Sequence, residues 1–330
     1  MRLVKGHIVA LCRGGKPCES IMTLADTARP NRTLAAAGAI LGYAAMISYI
    51  DNYVRVIAED MGLWQFQALR TLFAVMVFAA ALALPFGIRL RPVNLRAVAL
   101  RAVVQTAGML VYFGSLAFLT VAQAAAGLFT APIFVLLIGR LAYGHPLGAV
   151  RVVAALAGFA GVLMVLAPDL GAIGPATLAP VVAGAFYAMA NIATREWCAQ
   201  ESAATLTLSY MLMMGVAGVL GMGVLWVLAP EAAAGAEGFL LRGLVWPSSE
   251  ALFWTVVQAV VSVIGVGLMV RAYQLAEASR VSIFEYVILP FSAAWSWVLW
   301  GQGISLVAAF GMVLIIVAGA AMTLHGRGGR

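Results

Sequence analysis

Residues 48–55 read SYIDNYVR, and they close an apolar run that opens at Leu34. An acid, Asp51, and a base, Arg55, stand four residues apart, the spacing that brings two side chains together on one helix face. On a soluble helix such a pair is ordinary. At the end of a run long enough to cross a bilayer it is not, because a charge at the centre of a membrane helix costs about 2.5 to 3.5 kcal/mol and turns toward the bundle interior or water. Composition decides between the two settings. The 330-residue chain is 64% hydrophobic and 10% charged, whereas soluble domains carry about 25% charged residues. The fold class is therefore an all-α integral membrane protein.

A transmembrane helix needs about 20 mostly apolar residues to cross about 30 Å of hydrocarbon. Apolar windows between charged, Gly and Pro punctuation predict ten spans: 34–54, 64–86, 99–119, 123–142, 148–167, 174–195, 204–228, 251–272, 280–300 and 304–324. Residues 1–33 hold no apolar core long enough for a signal peptide and read as a cytoplasmic tail. Met22 opens a stretch that would itself serve as an amino-terminal tail, which makes residues 1–21 a candidate upstream extension; residues 325–330 read as a cytoplasmic carboxy-terminal tail. Lys and Arg accumulate on the cytoplasmic side of membrane proteins. With the amino terminus inside, every one of the 20 positive residues except Arg55, Arg70 and Arg242 falls on inner segments, RLRPVNLRAVALR among them. The expectation is a multi-pass protein of the cytoplasmic (inner) membrane with both termini cytoplasmic.

The chain also repeats itself at about half its length. Span one ends in IDNYVR and span six in ANIATR, so that Asp51 and Arg55 match Asn191 and Arg195. Spans four and nine each carry a proline, Pro132 and Pro290, followed by a terminal glycine, and spans five and ten share Gly161 and Gly319. The repeats are placed at 34–167 and 174–324. Five helices per half is an odd number, so the second half must cross the membrane upside down. Two inverted five-helix repeats are the architecture of many secondary transporters, with the substrate site near the midplane. Pro132 and Pro290 are candidate helix breaks there, or simple packing kinks.

These residues together resemble the drug/metabolite transporter superfamily and its EamA-like branch, over about residues 35–324. The resemblance rests on the ten-span repeat, on SYIDNYVRVIAEDMGLWQFQALRTLFA, on FYAMANIATREWCAQES and on AYQLAEASRVSIFEYVILP. It departs from the family where spans four and nine commonly finish in Gly-Glu, since the chain has Gly144-His145 and Gly301-Gln302. The resemblance implies a transporter of a small organic solute. Members of the family carry amino acids, nucleotide-like cofactors, vitamins and other metabolites, outward or inward.

The polar residues within spans are the candidates for substrate or coupling roles. Asp51 and Arg55 read either as an interfacial ion pair or, for Asp51, as part of a cavity. Arg70, with Gln67 one turn before it, either binds an anionic substrate group or pairs with Asp51 across adjacent helices. Glu285 beside Tyr286 either exchanges protons during transport, as intramembrane acids often do, or pairs with Arg280 or Arg271. Asn191 is the uncharged counterpart of Asp51. Tyr49, Tyr112, Tyr187, Trp64 and Gln258 could line a cavity, because rings and amides bind organic molecules, or could serve packing alone.

Other classes fit less well. No Gly-x-x-x-x-Gly-Lys-Ser/Thr loop indicates ATP use. The three cysteines and three histidines form no zinc spacing, and neither a cofactor nor a metal is expected. The net charge of +7 is spread between apolar segments and not gathered into a nucleic-acid-binding face. A membrane-embedded enzyme lacks its clustered nucleophile and base, and a passive channel its rings of charge. What remains is a secondary carrier for a small polar or amphipathic metabolite, export preferred, with proton coupling as a narrower expectation. Uptake of a cofactor or vitamin-like solute is the alternative. The partners expected are a small-molecule substrate, protons and the lipid bilayer, with the oligomeric state open.

Overall fold

In hydrocarbon no water is available to the main chain, so an apolar segment must satisfy its N–H and C=O groups internally, as a helix does. The computed structural model follows this rule. It describes residues 3–4, 7–8, 32–83, 90–115, 119, 121–145, 148–167, 174–175 and 178–325. Met1–Asn31 form a unit of their own, in which Leu3–Val4 and His7–Ile8 pair antiparallel. From Arg32 onward the described elements are helical.

The helices are α1 (Thr33–Asp51), α2 (Val54–Asp60), α3 (Leu63–Ala83), α4 (Leu95–Ser115), α5 (Val121–Leu128), α6 (Ala131–Tyr143) and α7 (Ala149–Leu166) in the first half. The second half holds α8 (Leu178–Glu196), α9 (Ala203–Leu228), α10 (Ser249–Leu275), α11 (Ala278–Phe284), α12 (Ile288–Trp300) and α13 (Leu306–His325). Three rods are broken: α1 and α2 at Asn52–Tyr53, α5 and α6 at Phe129–Thr130, and α11 and α12 by the 3-10 turn Glu285–Val287. Counting each broken pair once, ten rods stand where ten spans are expected. Among the described residues eight are long and apolar enough to cross a membrane, and α13 contributes the shorter apolar stretch Leu306–Met322. The tenth, α8, is more polar because its last turns carry Asn191, Thr194, Arg195 and Glu196.

Helix pairing reproduces itself when the halves are exchanged. α4 lies along α8 as α10 lies along α1, α6 meets α8 as α12 meets α1, and α3 meets α10 as α9 meets α4. The remaining large pairings, α7 with α13 and α3 with α9, join each span to its own counterpart. The helix ends agree as well: α6 and α12 both stop at a left-handed glycine, Gly144 at φ 69° and Gly301 at φ 63°. Such a residue turns the chain out of the helix without a Cβ penalty. Pro132 and Pro290 sit in the first turns of α6 and α12, just after the breaks, where a missing N–H costs little.

One boundary differs from expectation. Span one continues past residue 54 to Asp60. Beyond the break the chain resumes its helix at Val54 and is tied down by the 229–248 segment. Arg242 donates to the Ala58 carbonyl at 2.8 Å, Leu63 N–H to Phe239 at 2.7 Å, and Ser248 N–H to Asp60 at 2.5 Å. Ile57, Met61, Leu63 and Phe66 form a small apolar cluster beneath it. Asp51 is therefore not at the end of its rod. Nine residues of helix and break lie beyond it, about 14 Å at about 1.5 Å per residue.

Candidate functional site

The break after Asp51 sets the local geometry. α1 supplies Asp51 as its last residue, and Asn52 folds back to donate to the Ser48 carbonyl at 2.8 Å while accepting from Ser296 at 2.7 Å. Asp51 is an exposed residue, although groups from four other helices lie around it. Gln258 of α10 is within hydrogen-bonding reach, Arg70 of α3 and Tyr112 of α4 lie within electrostatic range, and so does Tyr210 of α9. An exposed carboxylate among groups from interior helices is a candidate for the lining of a recess. Gln258 is itself fixed, donating to the Ile50 carbonyl at 3.0 Å and lying within 3.4 Å of Ser262 Oγ.

Arg70 of α3 lies within electrostatic range of the Asp51 carboxylate. Among the described residues no carboxylate comes within 4.0 Å of the arginine; the ion pairs there are His145–Glu196, Arg151–Glu277 and Arg280–Glu277. Its guanidinium carbon stands 5.4 Å from the centre of the Phe66 ring, its Nε is buried without a partner, and the Tyr210 hydroxyl is within hydrogen-bonding reach.

The second acid lies deeper. Glu285 opens the 3-10 turn between α11 and α12 and is only 5% exposed. Tyr187 of α8 and Tyr273 of α10 are within hydrogen-bonding reach of its carboxylate, and Oε1 has no partner. Asn191 donates to the Tyr273 hydroxyl at 3.1 Å, and the Tyr187 hydroxyl donates to Met269 Sδ at 3.2 Å. Tyr43 of α1 connects the tiers, since it reaches Tyr187 and feels both Glu285 and Asp51. Polar side chains from α1, α8, α10 and the α11–α12 turn thus converge below Asp51, in a region closed to water.

The other expected residues fall elsewhere. Tyr286 is fully buried against α7, where its ring occupies the space left by Gly158 and its hydroxyl lies 3.5 Å from the Ala155 carbonyl. It is a packing residue, because the 3-10 turn rotates it away from the cluster that Glu285 faces. Gln67 is buried with Oε1 unpartnered, and its Cβ lies against the Gly218 position of α9. Trp64 donates to the Leu240 carbonyl at 3.0 Å and stacks over Gly221. Tyr49 belongs to an aromatic cluster with Tyr53 at 5.4 Å and Trp295 at 5.0 Å.

The expected ion pairs take other partners. Arg55 does not pair with Asp51, because the break at Asn52–Tyr53 spoils the helical spacing; its guanidinium lies 3.9 Å above the Trp300 ring. Arg70 is unpaired as described. Among the described residues no arginine pairs with Glu285 either: Arg280 joins Glu277 at 3.5 Å and Glu277 joins Arg151 at 2.6 Å.

Sequence reasoning missed Tyr43, Tyr210, Tyr273 and Arg101. Arg101 counts among the inner-side positive residues of RLRPVNLRAVALR although it falls at the start of the expected span 99–119, and it is 0% exposed. It donates to Thr194 Oγ1 at 3.0 Å and to the Leu206 carbonyl at 3.2 Å, sealing α4 against α8 and α9. The signal was available: apolar residues flank it on both sides, as in a span and not a loop. An apolar groove of about 700 Å³ also lies on the α4–α9 face, and no ionisable residue lines it.

Known proteins fit this geometry. Residues 34–167 match the EamA-like transporter family. A riboflavin transporter of Rhizobium johnstonii is 25% identical over 218 residues, 66% of this chain and 67% of its own length. A riboflavin transporter of Brucella anthropi is 26% identical over 73% of this chain and 83% of its own. A pseudopaline exporter of Pseudomonas aeruginosa is 23% identical over 69% of this chain and 75% of its own. A protein crystal structure superposes with a TM-score of 0.68 at 18% identity, covering 90% of this chain and 99% of the other, which shows a shared fold.

Proposed function

We propose that this membrane transporter of the EamA-like family is a secondary carrier, moving a small polar or amphipathic organic metabolite across the cytoplasmic membrane by alternating access at the recess around Asp51. The observation that carries the reading is a difference between repeat counterparts: Asp51 is an exposed residue, whereas Asn191 is 1% exposed. If the two halves exchanged conformations, the Asn191 end would open and the Asp51 end would close, which is what alternating access requires. The distribution of positive residues supports cytoplasmic termini, and therefore an outward-facing recess. Export is the proposed direction, supported by the exporter among the relatives. Glu285 is the proposed coupling group for protons, being a buried acid with one unpartnered oxygen.

Two measurements test this. In a background with Cys12, Cys18 and Cys198 replaced, Asp51→Cys should react with an impermeant maleimide from the outer face of intact cells while Asn191→Cys stays protected. Equal labelling of both would remove the one-sided recess. In proteoliposomes containing the purified protein, uptake or counterflow should proceed without ATP. A pH gradient should accelerate it in the native protein and lose that effect in Glu285→Gln. An unchanged response in the variant would take Glu285 out of the coupling.

A further inference from the structure

Charged side chains pair at one end of the bundle. Among the described residues the ion pairs are Arg151–Glu277 at 2.6 Å, Arg280–Glu277 at 3.5 Å and His145–Glu196 at 3.9 Å. All three lie at the end where α1 begins, about 27 Å along that helix from Asp51 at about 1.5 Å per residue. The Asp51 end carries Arg55, Glu59, Asp60 and Arg242 as well. Among the described residues none of these comes within 4.0 Å of an opposite charge.

Arg151 stands in the first turn of α7, in the first half, and Glu277 in the link between α10 and α11, in the second. Their contact therefore joins the two halves. Arg151 also donates to Ser279 Oγ at 3.1 Å, Arg280 donates to Thr33 Oγ1 at 3.4 Å, and the Arg32 N–H donates to the Leu275 carbonyl at 3.0 Å. The starts of α1 and α7 are thus drawn onto the α10–α11 link.

The inverted half has no such cluster in its sequence. α5 and α11 begin at Val121 and Ala278, and α7 and α13 at Ala149 and Leu306, each pair 157 residues apart. The same spacing carries Glu277, Arg280 and Arg151 onto Thr120, Gln123 and Ala308, none of them charged. The charges stand at the end where Asn191 is buried, and their counterparts are neutral at the end where Asp51 is exposed.

We propose that Arg151 and Glu277, braced by Arg280, latch the closed end of the carrier. The contact forms when the Asn191 end shuts and breaks when it opens, so it biases the resting protein toward the state with the Asp51 end open. This assignment rests on the carrier reading and adds to it the groups that set which end is open at rest.

The test reads accessibility at both ends, with the purified full-length protein in detergent, a soluble maleimide and the background in which Cys12, Cys18 and Cys198 are replaced. Arg151→Gln and Glu277→Gln should each speed labelling of Asn191→Cys about fivefold to tenfold, a scale between the small effect of losing an exposed pair and the large one of losing a buried pair. Labelling of Asp51→Cys should fall at the same time. The double variant should go no further than either single one, because both remove the same contact. Arg280→Gln leaves that contact in place and should shift both rates in the same directions by about twofold. Glu59→Gln, at the other end, should move neither. Faster labelling at both ends together, additive effects of Arg151→Gln and Glu277→Gln, or rates that ignore both substitutions would overturn the latch alone. Equal labelling of Asn191→Cys and Asp51→Cys with the latch intact would overturn the carrier reading and the latch with it.

Discussion

α1 and α8 hold equivalent places in the two halves, yet one ends at an exposed residue and the other in packed protein. α1 stops at Asp51, breaks at Asn52–Tyr53 and resumes as α2, while α8 runs unbroken to Glu196. Asp51 is exposed and Asn191 is donated into the Tyr273 hydroxyl. Arg55 lies exposed over Trp300, whereas its counterpart Arg195 is buried and donates to the Gln274 carbonyl at 3.3 Å. The repeat therefore conserves helix order and pairing but not local packing. A symmetric bundle would bury both counterparts or expose both; here Asp51 is exposed and Asn191 is buried.

The seal on the α8 side is the part most easily broken. An added Cβ at Gly184 would stand 2.7 Å from Thr130 Oγ1 and 3.0 Å from the carbonyl oxygens of Gly127 and Leu128. The matching position on α1 is Ala44, which already carries a Cβ. Backbone carbonyls cannot step aside as a flexible side chain can, so Gly184→Val is expected to cost about 3 kcal/mol, the upper end for overpacking. Ala44→Gly should cost about 1 kcal/mol, mainly through helix propensity. Thermal melting of both variants in detergent checks this. Equal losses would mean that the two sides are packed alike.

Exchanging the charges sharpens the comparison further. Asn191→Asp places a carboxylate in a region closed to water, and it is expected to lower stability by about 2 to 3 kcal/mol, the insertion cost of a membrane-buried acid. Asp51→Asn removes a charge already in contact with water and should change stability by no more than about 0.5 kcal/mol. The same chemical swap, made in opposite directions at counterpart sites, thus gives unequal shifts in melting midpoint. If the shifts are equal, Asp51 is not in water or Asn191 is not sealed.

Much of this architecture was legible in the sequence, and the failures share a cause. Hydropathy and the placement of positive residues are local properties, so ten rods fall where ten apolar windows lie. Breaks are less visible. Asn52–Tyr53 contains neither Gly nor Pro, and Asp51 with Arg55 reads as one helical face until the break separates them. Asp51, Arg70 and Glu285 could be singled out because charges in apolar runs are conspicuous. Tyr43, Tyr210 and Tyr273 could not, since a tyrosine in a membrane helix looks the same whether it packs, faces lipid or reaches an acid. Arg101 was hidden by company: Arg89, Arg91 and Arg96 precede it, and only the continuous helix from Leu95 separates its role from theirs.

Arg101 also yields the least intuitive of the expected effects. It is wholly buried where α4 meets α8 and α9, with Nη2 unpartnered and no carboxylate within 4.0 Å among the described residues. Its bonds to Thr194 and Leu206 recover part of the cost of removing a guanidinium from water, but no counter-charge recovers the rest. Replacing buried charged groups by apolar ones of similar volume is often neutral or stabilising by about 1 to 4 kcal/mol. Arg101→Met puts a shorter, unbranched apolar side chain in the place of the guanidinium and removes the charge, so it should stabilise the sealed side by about 1 kcal/mol, raising the melting midpoint. The same change should slow turnover, because opening that side lets the native Arg101 regain water and gives the methionine nothing comparable. A lowered midpoint with unchanged turnover would show that Arg101 is only a structural clamp, and that the sealed side does not open through it.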